Sequence, residues 1–226
     1  MAFNRSALVA GASGLVGRHC VQALLKEPSY ATVTAFLRKP LDFSHPKLIQ
    51  HIVDFEELEG AGNWLSADDV FCCLGTTMKK AGSEEAFRKV DFDYPIKLAA
   101  LTQHCGAKQF SLVSSLGADP HSRIFYTRIK GDVEEAIRKI SFIALHIFRP
   151  SFLLGKRTEP RPGERVGIAV MSAIKPVMLG PFKKFQAVQA CDVAAAMVHA
   201  AMMNLAGVHV YESDKIRALA RGSLPS

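Results

Sequence analysis

Tyr126 and Lys130 stand four residues apart in Tyr126-Thr-Arg-Ile-Lys130, a spacing that puts a phenol and an ammonium on one face of a helix. A phenol with a pKa near 10 is a poor proton donor or acceptor at neutral pH; a neighbouring cation favours the phenolate and brings the proton into useful range. Upstream, Ser114-Ser115 end a β-rich run, and either hydroxyl could bond a substrate carbonyl or alcohol. Proton transfer at such an oxygen is the chemistry this set can carry. Tyrosine and lysine meet at this spacing on many helices by chance, so the pair gains its weight from what surrounds it.

The strongest neighbouring signal is Gly11-Ala12-Ser13-Gly14-Leu15-Val16-Gly17, directly after the apolar run Ser6–Ala10 and at the start of a helical pattern. A dinucleotide pyrophosphate needs this arrangement. The first glycine permits a tight turn, the second lets backbone approach the phosphates, and the third lets helix and strand pack closely while the helix N-terminus offers free N–H groups. Glycines occur in many strand-to-helix turns, but three at this spacing in the first turn exceed what packing asks for. The second β-rich run ends Phe36-Leu37-Arg38-Lys39, without the carboxylate that a ribose 2′-hydroxyl calls for. Arg38 and Lys39 would suit a 2′-phosphate, so NADP(H) is expected over NAD(H), the bland alternative being two solvated charges. Asp54-Phe55, closing a third strand, are expected beside the adenine, Asp54 accepting from its amino group and Phe55 flanking the ring.

The elements that must position these residues follow from periodicity. Ser6–Ala10, Tyr30–Leu37, Leu48–Phe55, Asp69–Leu74, Lys108–Ser114 and Phe142–Phe148 read as strands. Between them, helical patterns start at Val16, run over Glu84–Gln103 with a proline at 95, and cover Tyr126–Lys139. Strands alternating with helices imply a parallel sheet covered on both faces, an α/β class of the Rossmann-like, doubly wound kind. Past Pro150 come a polar loop, Lys156–Arg165, a helical stretch, Val166–Ile174, a break from Pro176 to Gly180-Pro181, a helix over Asp192–Met203 with Asp192 as N-cap, and a short strand, Val208–Tyr211. Residues 1–226 are expected to form one domain, a core over 1–150 with a substrate-side lobe over 151–226.

Composition narrows the class. The 226 residues are 49% apolar and 22% charged, which suits a globular chain, and the length carries one large core. The net charge of +7 could suggest nucleic acid, yet the densest basic pairs are Lys79-Lys80 and Lys183-Lys184 and no run reaches five like charges, so no nucleic-acid partner is expected. Cysteines at 20, 72, 73, 105 and 191 have no ligand spacing and read as buried apolar residues in a reducing compartment. His19, His104 and Cys105 sit in helical patterns with nothing to pair them, so no metal is expected. Met171, Met178, Met197, Met202 and Met203 read as core or as the wall of an adaptable apolar pocket. With neither a signal-peptide core nor a long apolar run, a cytoplasmic protein without membrane insertion is expected. The helix start after Gly17 lacks the Lys-Ser/Thr of a phosphate-binding loop, which argues against a nucleoside triphosphatase.

Taken together, GASGLVG, the strand end Leu74-Gly75-Thr76-Thr77, Val113-Ser114-Ser115, YTRIK and Phe148-Arg149-Pro150 resemble the short-chain dehydrogenase/reductase superfamily. The strings FCCLGTT, KVDFDYP, SLVSSLGAD, IKGDVE and FRPSFLLG are similar to its atypical branch, which holds the Tat-interacting proteins and their bacterial relatives. The resemblance covers nearly the whole chain. It implies a Rossmann-like fold binding NADP(H), with Ser115 or its neighbour Ser114, Tyr126 and Lys130 as the catalytic set. Lys130 would also hold the nicotinamide ribose, and Leu74, Gly75, Thr76, Val113, Pro150, Ser151, Phe152 and Leu153 would line the cofactor. Ser115 precedes Tyr126 by eleven residues, slightly fewer than is common in the superfamily, so the choice of serine stays open. The implied activity is hydride transfer to or from a small carbonyl, alcohol or quinone. Two other functions fit the same motifs: a regulatory module whose NADP(H) occupancy controls a protein partner, and a nucleotide-sugar epimerase, for which the stretch past Pro150 is short. Whether the chain acts alone or as a homodimer stays open.

Overall fold

Short runs of apolar and β-branched residues become strands, and the amphipathic stretches between them become helices that cross from one strand to the next. Residues 4–155 and 185–223 are described in the computed structural model. Along the chain run β1 (Arg5–Ala10), α1 (Leu15–Lys26), β2 (Tyr30–Leu37), β3 (Leu48–Ile52), a 3-10 stretch (Leu58–Leu65), β4 (Asp69–Cys72), α2 (Met78–Ala81) and α3 (Glu84–Arg88). A π turn (Lys89–Asp93), α4 (Tyr94–His104), β5 (Gln109–Val113), α5 (Phe125–Arg138), β6 (Ala144–Arg149), β7 (Leu153–Leu154) and β8 (Val188–Gln189) follow. The chain closes with α6 (Ala190–Met202), β9 (Gly207–Glu212) and α7 (Ser213–Ala220).

Seven strands pair in the order β3-β2-β1-β4-β5-β6-β9, every pair parallel. The order reverses between β1 and β4, and the carboxyl ends of those strands flank the crevice in which doubly wound sheets take their ligands. One face of the sheet packs Val16, Val21 and Leu24 of α1 with Val193, Met197 and Ala201 of α6 and Ile216 of α7. The other buries Leu8, Phe110, Leu112 and Ile147 against Leu98 of α4 and Val133 and Ile137 of α5. Both faces are therefore covered, which is why the strands read as near-continuous apolar runs.

Several boundaries differ from the periodicity. β3 and β4 stop before Phe55 and Leu74: after one more ladder bond each, from Val53 N–H to Leu37 C=O and from Cys73 N–H to Ala10 C=O, the chain turns away. The last long helix starts at Ala190 with Gln189 at its cap. Asp192 is thus not the N-cap; it sits in the first turn, where its charge still suits the positive end of the helix. The helical pattern over 84–103 is broken in the middle. Pro95 has no N–H to give the carbonyl of Asp91, so the α-helical ladder cannot run through that point, and a π turn fills it. Lys79 and Lys80 lie on the short helix α2, capped by the Thr77 hydroxyl. In the region past Pro150, β9 joins the main sheet beside β6 and α6 packs on α1. The loop expected over 156–165, the helix over 166–174, the break at 176–181, Met171, Met178 and the pair Lys183-Lys184 lie outside the described residues.

Candidate active site

The glycine turn joins the carboxyl end of β1 to α1, at the switch point. Gly11 has φ +77°, and a Cβ there would lie 2.7 Å from the Cys73 carbonyl oxygen, so the turn presses against the end of β4. A Cβ on Gly14 would stand 3.1 Å from the Gly11 oxygen, and one on Gly17 would overlap that same oxygen. Gly14 caps α1 without a side chain, no acid occupies the first turn, and the ladder begins with Arg18 N–H donating to Gly14 C=O at 3.0 Å. The N–H groups of Leu15, Val16 and Gly17 precede that first bond, as at any helix start. A cradle lined by backbone donors, with a positive helix end and with space where side chains would stand, fits a pyrophosphate.

The residues expected to transfer a proton lie along the same edge. Ser114 and Ser115 follow β5, and α5 carries Tyr126 and Lys130. The loop between them is laid on α5: Asp119 N–H donates to the Thr127 carbonyl at 3.1 Å, and the hydroxyls of Ser122 and Thr127 are 2.6 Å apart. Close approach is possible because Gly131 faces the loop; a Cβ there would overlap Asp119 and Pro120 backbone. Tyr126 is 38% exposed, its ring 5.7 Å from that of the buried Phe87. The Lys130 side chain is only 7% exposed.

The two serines are not equivalent. Ser114 is buried and its hydroxyl donates to Glu134 Oε1 at 2.5 Å; Glu134 in turn takes a forked pair of bonds from Arg149 at 3.0 and 2.6 Å. Ser115 is half-buried, and its hydroxyl has only a long 3.4 Å contact to the Leu116 carbonyl. Ser114 thus belongs to the bracket that ties α5 to the end of β6, and Ser115 keeps a hydroxyl to offer. Ser115→Ala is expected to lower turnover with little change in melting temperature. Ser114→Ala leaves a buried carboxylate one donor short and is expected to cost about 1–3 kcal/mol of stability. Paired thermal melts and rates check this, and a reversed pattern would assign the other serine.

Two residues outside the expected set complete the arrangement. Asp91, in the π turn and 1% exposed, pairs with Lys130 Nζ at 2.7 Å through Oδ1, and its Oδ2 accepts from Thr76 N–H at 2.8 Å. Glu134 lies one helical turn beyond Lys130. Burial alone would push the Lys130 ammonium towards deprotonation; the Asp91 carboxylate and then the Tyr126 oxygen outweigh it, and its pKa ends raised.

At the carboxyl end of β2, Arg38 and Lys39 are exposed, with no hydrogen bond or ion pair among the described residues. Arg18 of α1 reaches the same loop, bonding Asp42 at 2.5 Å and lying over the Phe43 ring. Asp54 is exposed, and its Oδ1 accepts from Glu56 N–H at 2.9 Å. Phe55 is buried and stacks on Tyr94 with centroids 5.6 Å apart. On the far side of the crevice the Pro150 carbonyl accepts from Leu116 N–H, Ser151 bonds the Gln186 carbonyl, and Phe152 is exposed. Among the described residues no three His, Cys, Asp or Glu side chains could hold a metal ion, and no helix is long and apolar enough to cross a membrane.

Residues 11–203 match the model of a family described as NAD(P)H-binding, from the first glycine of the turn to the end of α6. The chain belongs to this NAD(P)H-binding, atypical short-chain dehydrogenase/reductase family. Among its relatives, Protein HTATIP2 of Rattus norvegicus is 41% identical over 165 residues, covering 71% of this chain and 68% of that protein. Protein FMP52, mitochondrial, of Coccidioides immitis (strain RS) is 32% identical over 228 residues, covering 94% and 92%. The fold is that of a solved structure of MoeE5 with UDP-glucuronic acid and NAD (TM-score 0.69, 17% identity, 97% of this chain and 83% of that one). A UDP-N-acetylglucosamine 4-epimerase from Methanobrevibacter ruminantium M1 gives a TM-score of 0.67 at 18% identity, covering 92% and 76%. The glycine cradle lies at the start of the matched residues.

Proposed function

We propose that the protein is an NADP(H)-dependent oxidoreductase acting on a small carbonyl, alcohol or quinone, with Ser115, Tyr126 and Lys130 as its catalytic set. The observation that carries this reading is the half-exposed Tyr126 on the same helix face as a buried, charged Lys130, both at the strand edge that carries the glycine cradle. When bound, the nicotinamide supplies or takes up the hydride. Tyr126 Oη donates the proton to the forming alcohol oxygen, or takes it in the reverse direction, and the Ser115 hydroxyl orients that oxygen. The Lys130 ammonium holds the ribose and favours the phenolate that Tyr126 passes through. Backbone N–H groups of the first turn of α1 take the pyrophosphate, and segments 74–76 and 150–153 line the walls.

NADPH consumption against a panel of quinones, aldehydes and ketones tests the activity. Turnover of at least one class is expected; intact NADPH binding without turnover across the panel would instead favour a sensor that controls a protein partner. The cofactor preference rests on Arg38 and Lys39, which have no hydrogen bond or ion pair among the described residues. NADPH is expected to bind at least about tenfold tighter than NADH, and Arg38→Ala to erase most of that difference by weakening NADPH alone. Fluorescence titration with both nucleotides measures it, and equal affinities in the unmodified protein would overturn the preference.

A further inference from the structure

We propose that the carbonyl compound reduced at Tyr126 is uncharged and aromatic, and that Phe152 and Met78 are the side chains that select it. The inference rests on the oxidoreductase reading given above and narrows its substrate to one chemical class.

Backbone geometry brings Phe152 to the proposed serine. The pairing of β5 with β6 continues past the strands: Ser114 N–H donates to the Phe148 carbonyl at 2.7 Å and Leu116 N–H to the Pro150 carbonyl at 2.9 Å, so Ser115 lies abreast of Arg149 and Pro150. At its other end the same segment meets the glycine cradle, since a Cβ on Gly155 would stand 2.8 Å from Cδ1 of Leu15, the first residue of α1. Residues 150–155 thus reach from the serine to the cradle, with Phe152 in the middle of that span. Its backbone is fixed from both sides. Ser151 N–H donates to Ser213 Oγ at 2.9 Å, the Ser151 hydroxyl to the Gln186 carbonyl at 2.7 Å, and Val188 N–H to the Phe152 carbonyl at 2.8 Å. The ring on this firmly held backbone is nonetheless 61% exposed.

The segment after β4 supplies a second wall. Thr76 N–H donates to Asp91, which pairs with Lys130 one turn beyond Tyr126, so this segment is tied to the helix that carries the acid. Met78, two residues on, is exposed at the start of α2. Single exposed apolar side chains are ordinary on a protein surface. Several of them beside a half-exposed phenol, on the segments that join it to the cradle, make the wall of a ligand site.

Charge favours the same class. The cations fastened around Tyr126 each have a partner: Lys130 has Asp91 at 2.7 Å, Arg149 has Glu134 at 2.6 Å, and Arg128 has the Ser122 carbonyl at 3.1 Å. A substrate carboxylate or phosphate seated over Tyr126 would lose its water with none of these to meet it. Lys79 and Arg123, exposed on α2 and in the loop before α5, are the cations that an acidic substrate would need. The step balances: the carbonyl carbon gains one hydride from NADPH, which becomes NADP⁺, and the oxygen gains one proton from Tyr126, which solvent restores. An aldehyde leaves as an alcohol.

The test is kcat/KM, followed by NADPH consumption on the full chain, for 2-naphthaldehyde, 6-carboxy-2-naphthaldehyde and propanal. In the unmodified protein, 2-naphthaldehyde should exceed propanal by about tenfold or more, and its carboxylated derivative should fall below it by about tenfold or more. Phe152→Ala should shrink the preference for 2-naphthaldehyde over propanal about five- to tenfold, chiefly through KM, and Met78→Ala should shrink it about threefold. Phe152→Leu keeps an apolar side chain and should lie between Phe152→Ala and the unmodified protein. The ratio between two substrates cancels their intrinsic reactivities; a role of Phe152 in lining the cofactor alone would weaken both together and leave the ratio unchanged. Binding is read apart from turnover by the fluorescence anisotropy of 2-naphthalenemethanol, the product alcohol, with NADP⁺ and Tyr126→Phe protein. Adding Phe152→Ala should weaken that affinity about five- to tenfold. Three results each overturn the proposal and leave the oxidoreductase reading standing: propanal or the carboxylated aldehyde turned over as well as 2-naphthaldehyde, a ratio unchanged in both Phe152→Ala and Met78→Ala, or an anisotropy indifferent to Phe152→Ala. No turnover of any of the three aldehydes, nor of the quinones and ketones above, overturns both.

Discussion

Replacing Tyr126 with phenylalanine is expected to cut turnover by about 10²–10⁴-fold, the usual worth of a positioned general acid, while NADPH binds nearly as before. The substitution removes one oxygen and little else. The ring keeps its place against Phe87, 5.7 Å away, and the hydroxyl makes no hydrogen bond among the described residues, so helix α5 loses no packing and no cap. Lys130 keeps Asp91 as its counter-ion, so the charge proposed to hold the ribose survives. Melting temperature and NADPH affinity should therefore stay close to those of the unmodified protein, and the loss should fall on the rate constant. A variant that turns over quinone or carbonyl at the full rate would remove Tyr126 as the acid and with it the proposed mechanism.

How far the site could be read in the chain depends on whether its parts are local. The glycine turn is seven consecutive residues, and the structure places a backbone carbonyl close to where a side chain on Gly11, Gly14 or Gly17 would stand. Tyr126 and Lys130 are one helical turn apart, and their common face needed only a helix to exist. Asp91 was hidden because it is 39 residues from its partner and belongs to a helical pattern in which a carboxylate looks like any other polar position. A signal was present, however: a proline four residues after an aspartate inside a helical run marks a broken ladder, and broken ladders cluster at functional sites. Glu134 was nearer to hand. It repeats the Lys130 face at the next turn, where α5 also buries Ile129, Val133 and Ile137, and an acid among those positions calls for a buried partner. Which serine stays available could not be read locally, because Ser114 is occupied by residues of α5 and β6 that meet it only in three dimensions. Strand ends were overrun for a related reason: apolar residues past Ile52 and Cys72 pack on the core without continuing the ladder, Phe55 on Tyr94 of α4, and the alternation of side chains does not distinguish the two.

Gly17→Ala should separate two opposing effects of one methyl group. Helix propensity favours alanine over glycine in a helix by about 1 kcal/mol, so intrinsic preference alone predicts a more stable protein. Close approach predicts the reverse. A Cβ at Gly17 would overlap the Gly11 carbonyl oxygen and lie 2.8 Å from its carbon and 3.0 Å from the Cα of Ala12, all rigid backbone. Relief requires lifting the start of α1 away from the turn, although Val16, Cys20, Val21 and Leu24 anchor that helix in the core. Overpacking of this kind costs about 1–3 kcal/mol after the propensity gain is absorbed, which corresponds to a melting temperature lower by roughly 2–12 °C for a domain of this size. NADPH binding should suffer more than stability, because the displaced first turn carries the N–H groups proposed to take the pyrophosphate; a loss of about a hundredfold or more is expected, as several charge-assisted bonds worsen together. Gly60→Ala supplies the control, since a Cβ there meets nothing within 4 Å and should change neither quantity. If Gly17→Ala melts higher than the unmodified protein and keeps its affinity, α1 does not approach the turn as closely as the cofactor cradle requires.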